Sequence, residues 1–337
     1  MMDSRTKTKH IRIFRLNPDN FSSNVWGGTW LPRWKKIKAK KNSPVGESWE
    51  FSLHPHFPSQ ILLRDNKWVP VTQLLKKSPF LLKFIDAREN LSLQVHPNDD
   101  YARRHENDSG KAESWVILSS SRQASSGFIY LGFRNDLPAL HKKSHTLKKV
   151  FQQALQNQTS TQPLLRLLNK IKVKPGDVFY LPPGTVHAIG AGVRLFEIQQ
   201  TSNVTYRVWD WNRTPPRPLH LEKAMDVIQF KAEAPKKFRP KSNLIKANGS
   251  GSFVVKEILK DHRQRFTVQQ IDMKKGSIVN QSVEKKFYVL TVIVGVIEIP
   301  GWGLIKEGTS VFVAADERDY QLKAISPHAR VFKSFVP

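Results

Sequence analysis

The amino-acid sequence predicts a mainly β protein of antiparallel strands arranged as a barrel or sandwich, and three observations carry that prediction. Short segments of alternating apolar and polar residues recur, among them "VGESWEFSLHP", "LSLQVHP", "GDVFYLPP" and "TYRVWDW", and a period of two is the mark of a strand with one greasy face. Gly, Pro, Asn and Asp punctuate these segments at turn spacing. The longest apolar run, "YVLTVIVGVI" from Tyr288 to Ile297, is rich in β-branched residues and well short of the roughly 20 that a membrane helix needs. It reads as a buried strand.

At 337 residues the chain exceeds what one core comfortably fills, so two packed domains are expected. A composition that is 39% hydrophobic and 10% aromatic is that of a folded chain. The strand rhythm breaks twice. In "HTLKKVFQQAL", Leu147, Val150, Phe151 and Leu155 share one helical face, and "TQPLLRLLNKI" adds a second short helix with Thr161 as its cap and Pro163 in its first turn. These form a helical insertion at about 137–171. The second break, Phe230 to Ser252, is polar, basic and rich in Pro, Ser and Gly, which places a boundary near Lys241 and predicts domains at 1–240 and 241–337. The chain also repeats itself: "KPGDVFYLPPGTVH" (Lys174 to His187) aligns without a gap on "KEGTSVFVAADERD" (Lys306 to Asp319). Two related β units, the second having lost its site, would explain that.

The first residues, "MMDSRTKTKHIRIF", lack the apolar stretch of a signal peptide, and there is no cysteine, so neither disulfides nor thiolate metal sites are available. The expectation is a cytoplasmic protein. A net charge of +26 could attract nucleic acid, anionic lipid or anionic small molecules. Its densest runs, "WKKIKAKK", "HKKSHTLKK" and "PKKFRPK", are accompanied by basic residues scattered along the chain. A nucleic-acid module concentrates charge on one element, so solvated surface is the expected role and no nucleic-acid partner is predicted.

Four polar side chains intrude where a strand should bury apolar ones. In "NLSLQVHP", Leu91, Leu93 and Val95 alternate with Ser92, Gln94 and His96, so Gln94 and His96 share a face. Glu113 opens the strand of "ESWVIL", and His187 follows the "PPG" turn. Two imidazoles, a carboxylate and an amide oxygen make a borderline-hard donor set suited to Zn²⁺, with Fe²⁺, Mn²⁺ or Co²⁺ also able to bind.

"GDVFYLPPGTVHAIGAG" resembles the second motif of the cupin superfamily. In order along the chain, "WGGTW", "VGESWEFSLHP", "PFLLKFIDARENLSLQVHPND", "GKAESWVIL" and "TSNVTYRVWDWNR" resemble type I mannose-6-phosphate isomerases of the short bacterial kind. The resemblance runs from about Asn24 to Arg213 and is weaker beyond. It implies two cupin-like antiparallel β-barrel or jelly-roll domains, the second without a metal site. It implies one zinc ion on Gln94, His96, Glu113 and His187, with Arg207 and Lys111 as catalytic residues. Glu47, Ser48 and Lys83 match pocket-lining positions. One departure is that Asn203 stands where the family usually has aspartate.

The activity so implied interconverts mannose 6-phosphate and fructose 6-phosphate through a cis-enediol. A metal or Arg207 would stabilise the developing charge, and the proton would be moved by a metal-bound water, Lys111 or His54. Lys83, Lys111 and Arg194 are expected phosphate donors, and the helical insertion is an expected cover for the pocket. The alternative expectation is a catalytically weak sugar-phosphate-binding cupin, a sensor or regulator. The protein is expected to be a monomer or homodimer.

Overall fold

The computed structural model describes residues 12–38, 43–120, 127–137, 144–156, 162–317 and 319–337. The expected Thr161 cap and the basic residues Lys40, Lys41, His141, Lys142 and Lys143 lie outside these. Four of its five sheets make the body of the molecule, and in all of them each strand pairs antiparallel with its neighbours. A six-stranded sheet runs in the order Val178–Leu181, Glu113–Ser120, Val193–Gln200, Phe80–Asp86, Val45–Phe51, Phe21–Gly28. A five-stranded sheet, ordered Leu168–Lys172, Phe128–Phe133, His187–Ile189, Leu93–Val95, Tyr206–Trp209, faces it. Ile85, Trp115, Ile117 and Leu195 of the first meet Ile129, Leu131 and Ile189 of the second in one core.

The last hundred residues build a second pair. Its seven-stranded sheet runs Ile13–Arg15, Ser310–Val313, Tyr288–Val294, His328–Phe335, Thr267–Lys274, Phe253–Lys260, Asn243–Ala247. Its partner sheet runs Ile278–Gln281, Tyr320–Ala324, Val296–Ile299, Gly303–Lys306. The expected barrels are therefore open sandwiches, since each sheet ends in an unclosed edge strand among the described residues. The first described strand, Ile13–Arg15, crosses over to pair with Val311–Val313.

The six- and seven-stranded sheets pack back to back through Phe51, Phe80, Phe84 and Phe196 on one side and Phe266, Phe312 and Phe332 on the other. Each such ring, fully buried, stabilises the fold by about 1.5–3 kcal/mol. Covered on both faces, the strand Phe80–Asp86 is buried at every residue. That is why its sequence, "FLLKFID", alternates less than an exposed sheet would. The apolar run from Tyr288 is broken after Val294. Gly295 adopts φ +78, and a Cβ there would lie 2.2 Å from the His328 carbonyl oxygen, so only glycine makes the turn into Val296–Ile299.

The helix Ser144–Gln156 matches its periodicity, burying Leu147 and Phe151 beside Phe133. It lies against the outer face of the five-stranded sheet, away from the sandwich interior, so it does not cover that interior as expected. The second helix is shorter than its sequence implied, ending at Arg166. Leu168–Lys172 becomes a strand because it can pair with Phe128–Phe133, and Asn169 Nδ2 donates to the Leu131 and Phe133 carbonyls at 3.1 and 3.2 Å.

The internal repeat folds alike in both copies. The strands Val178–Leu181 and Ser310–Val313 occupy the same four aligned positions. Gly176 and Gly308 both take positive φ, and each turn closes with a 3.1 Å bond, Asp177 N to Lys174 O and Thr309 N to Lys306 O.

Candidate metal centre

Cross-strand register assembles the site. Gln94 stands opposite His187 on one side and Arg207 on the other, and residues paired across strands share a face. His96, two residues on, joins them. From the facing sheet comes Glu113, paired with Leu181 and Gln199. The "PPG" turn fixes the height of His187. Gly184, at φ +84, donates its N–H to the His96 carbonyl at 2.8 Å, where a Cβ would strike Gln229 and the Val227 carbonyl. Gln200 fixes Glu113 from behind, accepting from Ala112 N at 2.9 Å and donating to Asp99 at 2.9 Å.

His96, Glu113 and His187 bring their ligand atoms within 4.8 Å of one another, all buried. Glu113 Oε2 lies 3.2 Å from His96 Nε2, and Glu113 Oε1 lies 3.2 Å from His187 Nε2. Gln94 Nε2 reaches within 3.3 Å of His187 Nε2. The Nδ1 of His96 lies 2.9 Å from the Val204 carbonyl and that of His187 lies 2.8 Å from the Thr185 carbonyl. A carbonyl only accepts, so both rings carry their proton on Nδ1 and turn an Nε2 lone pair inward, the arrangement of metal-binding imidazoles. Burial lowers the pKa of His96 to about 3, reinforced by Lys111, and burial likewise lowers His187. Burial alone would raise Glu113, but His96, His187 and Lys111 outweigh it and hold the carboxyl well below its usual range. Both Glu113 oxygens and His96 Nε2 are buried without a hydrogen-bond partner. An ionised carboxylate among neutral imidazole lone pairs is costly to bury empty. The donor set fits a divalent cation.

Charged groups line the same interior. Lys111 Nζ is 3.5 Å from Glu113 Oε2. Lys83 is buried, 3.5 Å from Glu47 Oε1 and 4.0 Å above the Trp49 ring. Between them stands Glu197, paired across strands with Lys83 and Trp115 and accepting from Trp115 Nε1 at 3.0 Å. Burial, then the Glu113 charge, raises the Glu197 carboxyl to about 7. Sequence reasoning passed over Glu197, although a glutamate inside "RLFEIQQ" is the same kind of intruder as Gln94.

Two expected pocket residues lie elsewhere. Ser48 is on the opposite face of its strand from Glu47, fully buried, accepting from Lys35 Nζ at 2.8 Å and donating to Glu50 Oε1 at 2.6 Å. Arg194 also points away from the interior, to Asp86 at 3.2 Å and the Trp30 ring at 5.1 Å, so it cannot meet a ligand at the cluster. His54 sits on the wall of a separate cavity of about 1040 Å³, with Asp108 Oδ2 at 3.5 Å from its Nε2. That cavity includes none of the four metal-site residues and backs onto them through Val204. At the corner where Asn203 replaces the expected aspartate, Asp108 Oδ2 accepts from Asn203 N at 3.2 Å and from Ser202 Oγ at 3.3 Å.

A buried His-Glu-His cluster with half-buried Gln94 beside it, inside one of two β-sandwiches that share a sequence repeat, defines a candidate metal-binding protein of the cupin type. No protein-family model matches the chain. Over 225 residues, 62% of its length, it is 38% identical to the probable mannose-6-phosphate isomerase GmuF of Bacillus subtilis, and the match spans 66% of that relative, just under two thirds. A solved structure of the mannose 6-phosphate isomerase from Bacillus subtilis has a TM-score of 0.78 at 25% identity, covering 96% of this chain and 99% of that one. A zinc-bound mannose 6-phosphate isomerase structure, 17% identical, shares the fold with a TM-score of 0.73 over 96% and 99% of the two chains. The relatives and solved structures that the chain resembles in sequence and fold are thus mannose-6-phosphate isomerases by name.

Proposed function

We propose that the protein is a zinc-dependent isomerase that interconverts mannose 6-phosphate and fructose 6-phosphate. The observation that carries the proposal is the Glu113 carboxylate, buried without a hydrogen-bond partner between two inward imidazoles and neighboured by Lys83, Lys111, Glu197 and Arg207. Gln94, His96, Glu113 and His187 would hold Zn²⁺, which supplies Lewis-acid charge at the sugar oxygens when bound.

The protein's own groups perform the proton transfer. The C2 proton of an aldose phosphate is weakly acidic, and its removal places negative charge on the enediolate oxygens. Arg207, on the strand beside Gln94, sets a permanent positive charge against it. Glu197, poised near neutrality, is suited to take the proton at C2 and return it at C1. Lys111 and Lys83 are cationic donors for the sugar phosphate, Lys111 also holding Glu113 in place. Asp108 offers at the Asn203 corner the carboxylate that position 203 lacks.

In the same reading, residues 1–240 form the catalytic unit and 241–337 a second unit without the metal, with Ile13–Arg15 exchanged into it. No helix among the described residues is long and apolar enough to cross a membrane. A cytoplasmic monomer or homodimer, with the basic surface solvated and free of nucleic acid, completes the proposal and rests on the sugar-phosphate chemistry. The test is a coupled isomerisation assay on zinc-loaded protein, beside calorimetry with mannose 6-phosphate. Turnover abolished by chelation supports the isomerase. Binding without turnover in a zinc-loaded, folded sample replaces it with a sugar-phosphate sensor.

A further inference from the structure

The internal repeat extends beyond the turn and strand that reveal it. With Leu181 aligned on Val313, the cross-strand pairs carry the equivalence through each sheet. Leu181 faces Glu113 in the first unit, and Val313 faces Tyr288 in the second. Glu113 faces Gln199, and Tyr288 faces Phe335. Two residues along, Trp115 faces Glu197, while Leu290 faces Lys333. The Gln94–His187 pair has its counterpart in Gln281–Tyr320, with Tyr320 one residue beyond the gapless alignment. Where the first sandwich points Gln94, Glu113, His187 and Glu197 inward, the second points Gln281, Tyr288, Tyr320 and Lys333.

The exchange inverts the charge. Two carboxylates and an imidazole become an ammonium and two phenols, which can donate hydrogen bonds to an anion but offer a cation little. Lys333 is 7% exposed, and its Nζ donates to Gln281 Oε1 at 3.0 Å above the Tyr288 ring at 4.0 Å. Among the described residues no carboxylate lies within ion-pair distance. Glu284 acts on it only from afar, being exposed and 3.6 Å from Lys286. The hydroxyl of Tyr320, a residue only 9% exposed, is buried without a partner. At the rim, Asp319 is occupied by Val283 N at 3.1 Å. A buried ammonium without a counter-charge and a buried hydroxyl without an acceptor each cost free energy, and one acceptor anion would satisfy both.

We infer that the second β-sandwich carries a small-anion site built on Lys333, Tyr320 and Gln281, the charge-inverted counterpart of the metal centre, with phosphate as its ligand chemistry. Burial lowers the Lys333 ammonium to about 8, the behaviour of a cation awaiting its partner, and a bound anion would raise it again.

The test is equilibrium dialysis of radiolabelled inorganic phosphate against the zinc-loaded full chain in 150 mM chloride, which suppresses loose binding to a surface of this charge. Beside any binding at the metal centre, one saturable site is expected that is weakened at least tenfold in Lys333→Met and severalfold in Tyr320→Phe, with the exposed-lysine control Lys256→Met unchanged. The Tyr320→Phe variant removes one partnerless oxygen, so it decides the matter should Lys333→Met fail to fold. Mannose 6-phosphate added as competitor separates the sources. Displacement of the Tyr320-dependent phosphate points to a sugar phosphate, and failure to displace it points to the free ion. Phosphate binding that is absent, or equal in wild type and both variants, overturns the inference. The readout does not depend on turnover, so it stands or falls apart from the isomerase proposal.

Discussion

Gln94 and Arg207 face one another across neighbouring antiparallel strands, so Arg207 stands on the same face of the sheet as the candidate metal donors Gln94, His96 and His187. Its Nη1 is bound at 2.5 Å by the Pro218 carbonyl, and its Nε is buried without a partner. A cation fixed in this way is organised before substrate arrives. Arg207→Ala should lower kcat/KM by about 10²–10³-fold, the usual effect of losing one oxyanion donor. Zinc content by elemental analysis should not change. Arg207→Lys should recover little, because the rigid fork is lost. A parallel loss of zinc in the alanine variant would assign Arg207 to the metal shell instead.

Metal loading should be visible in stability as well as in turnover. Both Glu113 oxygens and His96 Nε2 are buried without a hydrogen-bond partner, so a cation that binds only the folded state adds about 4 kcal/mol at a thousandfold excess over its dissociation constant. Chelated protein should melt several degrees below zinc-loaded protein, and zinc should restore the difference. In Glu113→Gln the carboxylate charge disappears while the shape is kept. That variant should bind zinc at least tenfold more weakly and show little chelator-dependent shift.

How far these features were legible in the sequence depended on alternation. Gln94, His96, Glu113 and His187 stood out because each interrupts an apolar strand. Glu197 interrupts one too, and the same rule would have found it. Ser48, assigned by resemblance, and Arg194, chosen as a cationic phosphate donor, both went against that rule. Ser48 neighbours Glu47, and Arg194 lies three residues from Glu197, so on a pleated strand each must face the other way. The pairing of Ile13–Arg15 with Val311–Val313 could not be read locally, since nothing within either segment specifies a partner 300 positions away. The strand Asn243–Ala247 was hidden for another reason. All five residues are exposed at a sheet edge, so burial imposed no pattern on them.

Glu197 sets a pH dependence whose sign follows from its surroundings. Its carboxyl titrates near 7 in the folded protein and near 4.5 when unfolded, so between those values the native state keeps a proton that the unfolded chain has released. Stability from this group is complete below pH 4.5 and is lost as the pH rises to 7. His96, depressed to about 3, acts with the opposite sign, its contribution being lost as the pH falls below 6.5. Comparing wild type with Glu197→Gln in chelated samples isolates the first effect. The melting temperature of the variant should gain on wild type by several degrees between pH 5 and 7.5 and level off above that. Two curves parallel throughout would show that Glu197 is ionised in the native state.

A buried ion pair of the first sandwich lies at its junction with the second. Lys35 Nζ bonds the Glu50 carboxylate, with side chains 1% and 2% exposed. Ser48 Oγ donates to Glu50 Oε1 at 2.6 Å, and from the other sandwich Ser310 Oγ donates to Glu50 Oε2 at 2.8 Å. Removing one charge strands the other in a dry interface. Lys35→Met should therefore cost about 3–5 kcal/mol, measured as a lower urea midpoint at unchanged slope. Lys35→Met combined with Glu50→Gln should recover a large part of the loss, because the amide oxygen still accepts from one of the two serines and the amide N–H can donate to the other, while the unpaired charge is gone. Equal losses in the single and double variants would mean that shape, rather than charge, governs this contact between the sandwiches.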